Sequence, residues 1–437
     1  MTQVEVHAVS VDGAGKRMHA FATELFPLCR SITGDGVRAT LRRIGERIPI
    51  EMHEVSSGTE VLDWTVPDEW NIRGAHIAGP DGHRIVDFED SNLHVVGYSE
   101  PVRTKMTLDE LLPHLHTDPR NPDWIPYRTS YYSRTWGFCL SETQLGGLGN
   151  GPFEAVVEST LEPGSLTYGE LLLRGELDDE VLLTTHVCHP SLANDNLSGI
   201  VALTELAASL AKTSHRLSFR FLFIPGTIGS IAWLAANESV VSRIRAGLVI
   251  ACVGDSGPIT YKRSRQGVAL VDRAGAHVAQ QVGGRVLDFV PWGWDERQFN
   301  SPGFDLPVGC VTRSLEAEFP EYHSSADDLE LIRPECLEES VQAVLSILDV
   351  IERDRPYLNV SPKGEPQLGK RGLYRALGGA DPGTQQLALL WTLNQSDGDR
   401  SLLEIAERSG IEFADIADAA RDLVEAGLLA EHNVSSR

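Results

Sequence analysis

The chain has 437 residues, 42% of them apolar and 23% charged. That supplies a large core, suggests about three domains at roughly 150 residues each, and excludes disorder, collagen or a coiled coil as the main character. Lys plus Arg number 38 and Asp plus Glu 62, giving a net charge of −24, so repulsion from phosphates argues against nucleic acid and anionic membranes as partners.

The N-terminus MTQVEVHAVSVDGAGKR has no basic start followed by an apolar stretch, so no secretory signal is expected. The six cysteines are scattered and none forms a CxxC pair, which reads as reduced thiols in a cytoplasmic protein. Residues 15–47 read as helix: Met18, Phe21, Leu25 and Leu28, then Val37, Leu41 and Ile44, recur at steps of three and four. Ile50–Val55 reads as a strand. Residues 56–125 then bring turn dipeptides every eight to twelve residues between short apolar runs, the pattern of an inserted β-rich module.

From about 152 strands and helices alternate. Phe153–Ser159, Ser165–Leu173, Glu180–His186, Leu217–Ile224 and Ala246–Val253 read as strands, and Leu197–Leu210, Ile228–Asn237 and Leu331–Asp354 as helices. Continuous apolar strands with helices between them predict an α/β fold with a mostly parallel sheet flanked by helices. The longest apolar runs, Phe221–Pro225 and Ala246–Gly254, fall well short of the roughly 20 residues that span a bilayer. Residues 355–370 carry three prolines and read as a linker. Thr384–Asn394, Ser401–Ser409 and Glu412–Glu425 then read as a helix-turn-helix with a short wing. Residues 385–437 hold ten acids and four bases, which favours a packing or docking role over DNA contact.

The stretch 184–199, TTHVCHPSLANDNLSG, sits where a buried strand ends and a helix begins, the edge at which open parallel sheets bind ligands. It offers His186, Cys188, His189 and Asp195 within ten residues, and imidazole with carboxylate suits zinc. This stretch resembles the metal-binding loop of the zinc exopeptidases related to bacterial leucyl aminopeptidase, which pair a strand-end His with a bridging Asp in an Asp-Asn-x-Ser-Gly motif. Gly254-Asp255 after a buried strand, and Glu321-Tyr-His323 with Asp327, resemble later landmarks of that superfamily. More closely, the whole chain is similar to a bacterial aminopeptidase-like family with a β insertion near its N-terminus and a winged-helix tail.

The resemblance implies a zinc exopeptidase-like α/β domain at 1–55 and 128–356, a β-rich insertion at 56–127 and a winged helix at 371–437. It implies Zn2+ held by His186, Asp195 and His323, with Asp255 as a fourth ligand. It also implies hydrolysis of an amide bond in a small peptide or acyl-amide substrate. Cys188 stands where the superfamily usually has an Asp that orients the imidazole, so His189 or a backbone group is expected to do so instead.

One departure bears on activity. Where the superfamily carries a Glu-Glu pair, this chain has Phe223-Ile-Pro-Gly226-Thr-Ile-Gly-Ser230, and glycine can neither take a proton nor fill a coordination site. Glu316, Glu318 and Glu321 near His323, and Asp295 and Glu296 in an aromatic loop, are candidate replacements; Glu321, nearest a ligand, is the expected base. Tyr322, Glu296 and Arg313 are the expected substrate contacts, Arg313 as a partner for a carboxylate. Tyr127, Tyr131 and Tyr132 read as core and domain seam, with a pocket lip for an apolar or aromatic side chain as the alternative. The alternative is an inactive binding or scaffold protein that keeps the pocket, and homo-oligomerisation is left open.

Overall fold

The computed structural model describes residues 11–315, 318–373 and 383–432. The chain divides into two compact units at position 344/345, inside the helix Pro334–Arg353. Among the described residues no helix is long and apolar enough to cross a membrane.

The first unit is built on an eight-stranded sheet. Its order is Glu51–Ser56, Ser165–Leu173, Ser218–Ile224, Glu180–His186, Ile244–Ile250, Val308–Thr312, Thr260–Lys262 and Arg285–Leu287. The four central strands pair in parallel, and antiparallel pairs join the outer strands to them. Glu180–His186 and Ser218–Ile224 are buried at every position, the mark of strands covered on both faces. Phe219, Phe221 and Phe223 are wholly buried, each contributing about 1.5–3 kcal/mol of burial free energy. The helices Gly199–Leu210, Ile228–Ala236 and Leu270–Gln281 pack on this sheet.

The β-rich module is present, but its sheet does not come from 56–127 alone. Its strands lie in the order Arg84–Asp87, Glu69–Ala78, Phe153–Glu162, Val102–Met106, all antiparallel. Phe153–Glu162, read above as part of the main α/β rhythm, is therefore a central strand of the smaller sheet. Its inward residues Phe153, Ala155 and Val157 join Trp70, Ile77 and Val86 in one core with Ile228 and Ile231 of the helix Ile228–Ala236. The module is thus anchored to the helix that begins just past Gly226.

The second unit carries three helices, Gly383–Gln395, Leu402–Ser409 and Phe413–Glu425, and a three-stranded sheet. Part of the expected linker 355–370 is structured: Pro356–Asn359 is the sheet's middle strand, pairing with Asp397–Ser401 and Leu429–Glu431. Ser401 and Glu404 form a capping box, and Gly410 ends the same helix with φ 69°. Leu389, Leu393, Leu403, Ile405, Phe413, Ile416 and Leu423 are buried. A chain of residues 355–437 expressed alone should therefore unfold cooperatively on heating, with helical circular dichroism. A non-cooperative transition would show that its core is incomplete.

Candidate metal centre

The site is built at the carboxyl ends of the parallel strands. His186 is the last residue of its strand, Gly226 follows Ser218–Ile224 by two, and Cys252 follows Ile244–Ile250 by two. Between His186 and the helix Gly199–Leu210 runs an irregular turn in which Asp195 and Asn196 leave helical geometry. Its polar residues are all used as ties. Asn194 accepts from the Gly254 amide at 2.9 Å and donates to Asp255 at 2.8 Å. Asn196 Oδ1 accepts from the Cys252 amide at 3.1 Å, and its Nδ2 lies 2.7 Å from Thr185 Oγ1 and 3.2 Å from His186 Nδ1. Ser198 Oγ donates to Asn194 O and accepts from the Val253 amide. A Cβ on Gly199 would sit 2.5 Å from both Ile250 O and Asn196 Oδ1, so only glycine fits there. Asp327 closes the turn, its carboxylate accepting from the Asn194 amide at 2.6 Å and the Asp195 amide at 2.9 Å.

These ties hold the buried Asp195 carboxylate against three imidazoles. Oδ1 lies 2.9 Å from His186 Nε2, while Oδ2 lies 3.1 Å from His323 Nε2 and 3.9 Å from His189 Nε2. The ligand atoms of His186, His189 and Asp195 all lie within 4.8 Å of one another. Asp195 Oδ2 and His323 Nε2 are buried and face each other, yet neither makes a hydrogen bond among the described residues. Two lone-pair atoms so placed fit joint ligands of a cation, and three imidazoles with one carboxylate are a donor set that zinc accepts. His323 holds φ at 56°, in the left-handed region that few non-glycine residues adopt.

Burial sets the electrostatics. It pushes the His189 pKa down to about 3, keeping that imidazole neutral and able to bind a metal. Burial alone would raise Asp195, but His189, His186 and His323 outweigh it and hold this carboxyl well below the usual range. Burial pushes Asp327 up to about 8 despite the amides it accepts from. Arg30, 2% exposed, threads its guanidinium onto three carbonyls, those of His189, Pro190 and Leu25, each at 2.7 Å. Burial lowers its pKa to about 10. Arg30→Ala strands those three carbonyls and should cost about 2–4 kcal/mol of stability by denaturant melting; a change under about 1 kcal/mol would contradict this account of the loop.

The structure brings together His186, Asp195 and His323, and places Tyr322 beside them, stacked on His323 with ring centroids 3.9 Å apart. Other expected residues stand elsewhere. Asp255 is not placed as a ligand: its oxygens are taken by Asn194, the Gly257 amide, and the hydroxyl and amide of Ser314. Arg313 is buried, with its guanidinium spent on Gly257 O, Cys336 O and Glu339, so it is no substrate clamp. Glu296 is buried in an ion pair with Lys262. Glu321 contributes its backbone carbonyl, which accepts from Ser324, and among the described residues no hydrogen bond or ion pair engages its carboxylate. Glu318 pairs with Arg285, and Glu316 lies outside the described residues.

Three residues stand closer to the site than their place in the sequence reading gave them, Asp295 among them as one candidate replacement and not the expected base. His189 stands three positions past His186 and was read as a helper, because chain order cannot say which imidazole a turn directs inward. Tyr127 was read as seam. Its ring instead meets His189 and His323 edge-on at 5.3 and 5.0 Å, and its amide donates to His323 O at 2.7 Å. Asp295 is the third. It is 1% exposed, and a Cβ on Gly226 would fall 3.1 Å from its Oδ2 and 3.2 Å from His186 Cβ. Burial raises its pKa, against the pull of His186 and Ser230.

Residues 19–354 match the family described as a domain of unknown function (DUF4910), and 355–431 match a winged helix-turn-helix family. A Clostridium acetobutylicum protein, provisionally named a polysaccharide biosynthesis protein with an aminopeptidase-like domain, is 49% identical over 98% of this chain and 99% of its own length. A C. acetobutylicum crystal structure, provisionally called a peptidase, superposes with a TM-score of 0.92 at 48% identity, over 96% of this chain and 97% of that one. A zinc aminopeptidase from Bacillus subtilis shares the fold at 13% identity, with a TM-score of 0.54, over 78% of this chain and 94% of its own.

Proposed function

The chain belongs to the DUF4910 family and carries an aminopeptidase-like fold with a C-terminal winged helix, and from that premise we propose that it is a zinc-dependent amide hydrolase. The observation that carries this reading is the facing pair Asp195 Oδ2 and His323 Nε2, 3.1 Å apart, buried and without hydrogen-bond partners among the described residues, beside the cluster that Asp195 forms with His186 and His189. His186, His189, His323 and Asp195 would hold one zinc. When bound, zinc supplies a Lewis acid that polarises the scissile carbonyl and makes the attacking water more acidic.

The chain's own residues do the rest. Asn196 braces the backbone at His186, its Nδ2 donating to Thr185 Oγ1 and to His186 O, and Cys188 is chemically unsuited to orient the imidazole. The Cys188 thiol is buried and lies 3.6 Å from Gly226 O. Tyr127 walls the histidines on one side and Tyr322 lies flat on His323, so the substrate approaches between aromatic rings. These rings suit an apolar or sugar face next to the amide.

The test is turnover on a panel of aminoacyl anilides, dipeptides and N-acyl amino sugars, the last included because of the relative's provisional link to polysaccharide synthesis. Hydrolysis of at least one class should vanish with a chelator and return with added zinc. Turnover indifferent to chelation, or none on any class, would contradict the proposal.

A further inference from the structure

We propose that Asp295 is the catalytic carboxylate of this site, delivered by a distant loop into the place that a side chain at position 226 would occupy. The inference rests on the hydrolase reading above. A Cβ built on Gly226 would come within 3.1 Å of Asp295 Oδ2 and 3.2 Å of His186 Cβ, so position 226, Asp295 and His186 converge on one small volume. Gly226 is not among the positive-φ glycines.

Three of the other acids near the cluster are engaged: Asp327 holds the Asn194 and Asp195 amides, Asp255 holds Asn194 and Ser314, and Glu296 pairs with Lys262. Glu321 lies half-buried, and among the described residues nothing anchors its carboxylate to aim it. Asp295 differs from all of these. Its Oδ1 accepts from Ser230 Oγ at 2.8 Å, and no hydrogen bond reaches its Oδ2 among the described residues. One oxygen is thus anchored and the other presented.

The loop is built to hold it there. Lys262 reaches in to pair with Glu296 and donates to Trp292 O at 2.6 Å, and Asn300 donates to Glu296 O and Val308 O at 2.8 and 2.7 Å. The Gln298 amide donates to Asp295 O at 2.9 Å. A reacting group needs this kind of support from its neighbours. In the reaction, the water oxygen bonds to the amide carbon as its proton passes to Asp295. That proton then goes to the departing nitrogen as the C–N bond breaks, leaving acid and amine with Asp295 ionised as before.

Asp295→Asn tests it on the full chain, read by turnover and by zinc affinity in competition with a chelating dye. Turnover should fall on the order of 10²–10⁴-fold, the usual worth of general acid–base catalysis, while zinc affinity stays within about threefold. Gly226→Glu should lower the thermal midpoint, and Asp295→Ala added to it should restore most of the loss, because two carboxylates would compete for one space. Turnover retained in Asp295→Asn overturns this proposal alone, as does zinc lost with Asp295, which would make it a ligand, or purely additive midpoint shifts, which would separate the two positions. An unmodified chain without turnover sinks the hydrolase reading and this proposal together.

Discussion

Asp195→Asn should strip the protein of zinc and of turnover while leaving it folded. The substitution keeps the side chain's shape but replaces a carboxylate that faces His186, His189 and His323 with a neutral amide. It removes the charge that the three imidazoles now stabilise, and its –NH2 group would point at a nitrogen lone pair on one side or the other. The loss of affinity should exceed the roughly 10–100-fold that an outer partner of a metal ligand is worth. Thermal midpoints of the zinc-free forms should stay close, because the sheet core around Leu182, Leu222 and Val249 lies elsewhere. Elemental analysis and a melting curve on the same sample check both halves. Full zinc in Asp195→Asn would mean that the imidazoles alone hold the ion.

The second large effect is expected at a residue that touches no ligand atom. Asp327→Ala leaves the Asn194 and Asp195 amides without their acceptor in a buried turn. Each such orphan costs about 1–3 kcal/mol, and the turn that aims Asp195 loses its clamp. Zinc affinity should drop about 10–100-fold, with Asp327→Asn, which keeps one carbonyl acceptor, falling in between. Competition with a chelating dye gives the ratio directly. Affinity within threefold of the unmodified chain in Asp327→Ala would show that Asn194, Asn196 and Ser198 suffice to shape the turn.

The strands that carry the site were legible in sequence because burial on both faces leaves a continuous apolar run, as in Leu217–Ile224, and the polar stretch after His186 marked its edge. Phe153–Glu162 was equally legible as a strand. Its sheet was not, because alternation of buried and open positions says that a strand has two unlike faces, never which neighbour it pairs with. The same limit governed the acids. An Asp after a buried strand sits at the ligand-binding edge, but the direction of its carboxylate is set by Asn194 and Ser314, which are distant in sequence. Glu321 was favoured for its nearness to His323 along the chain. Asp295 arrives through a loop whose approach to Gly226 depends on a buried Lys262–Glu296 pair that sequence spacing cannot reveal. Arg313 reads as a surface cation until the helix Pro334–Arg353 presents carbonyls to it.

Zinc content per chain, measured by elemental analysis after gentle dialysis of the purified full-length protein, tests the metal centre most directly. The cluster of His186, His189 and Asp195, with His323 against Asp195, predicts one firmly held zinc, since the described residues show a single such cluster. No zinc would contradict the centre itself, and two firmly held ions would show that Asp295 or another acid serves as a ligand rather than as the group that takes the water's proton.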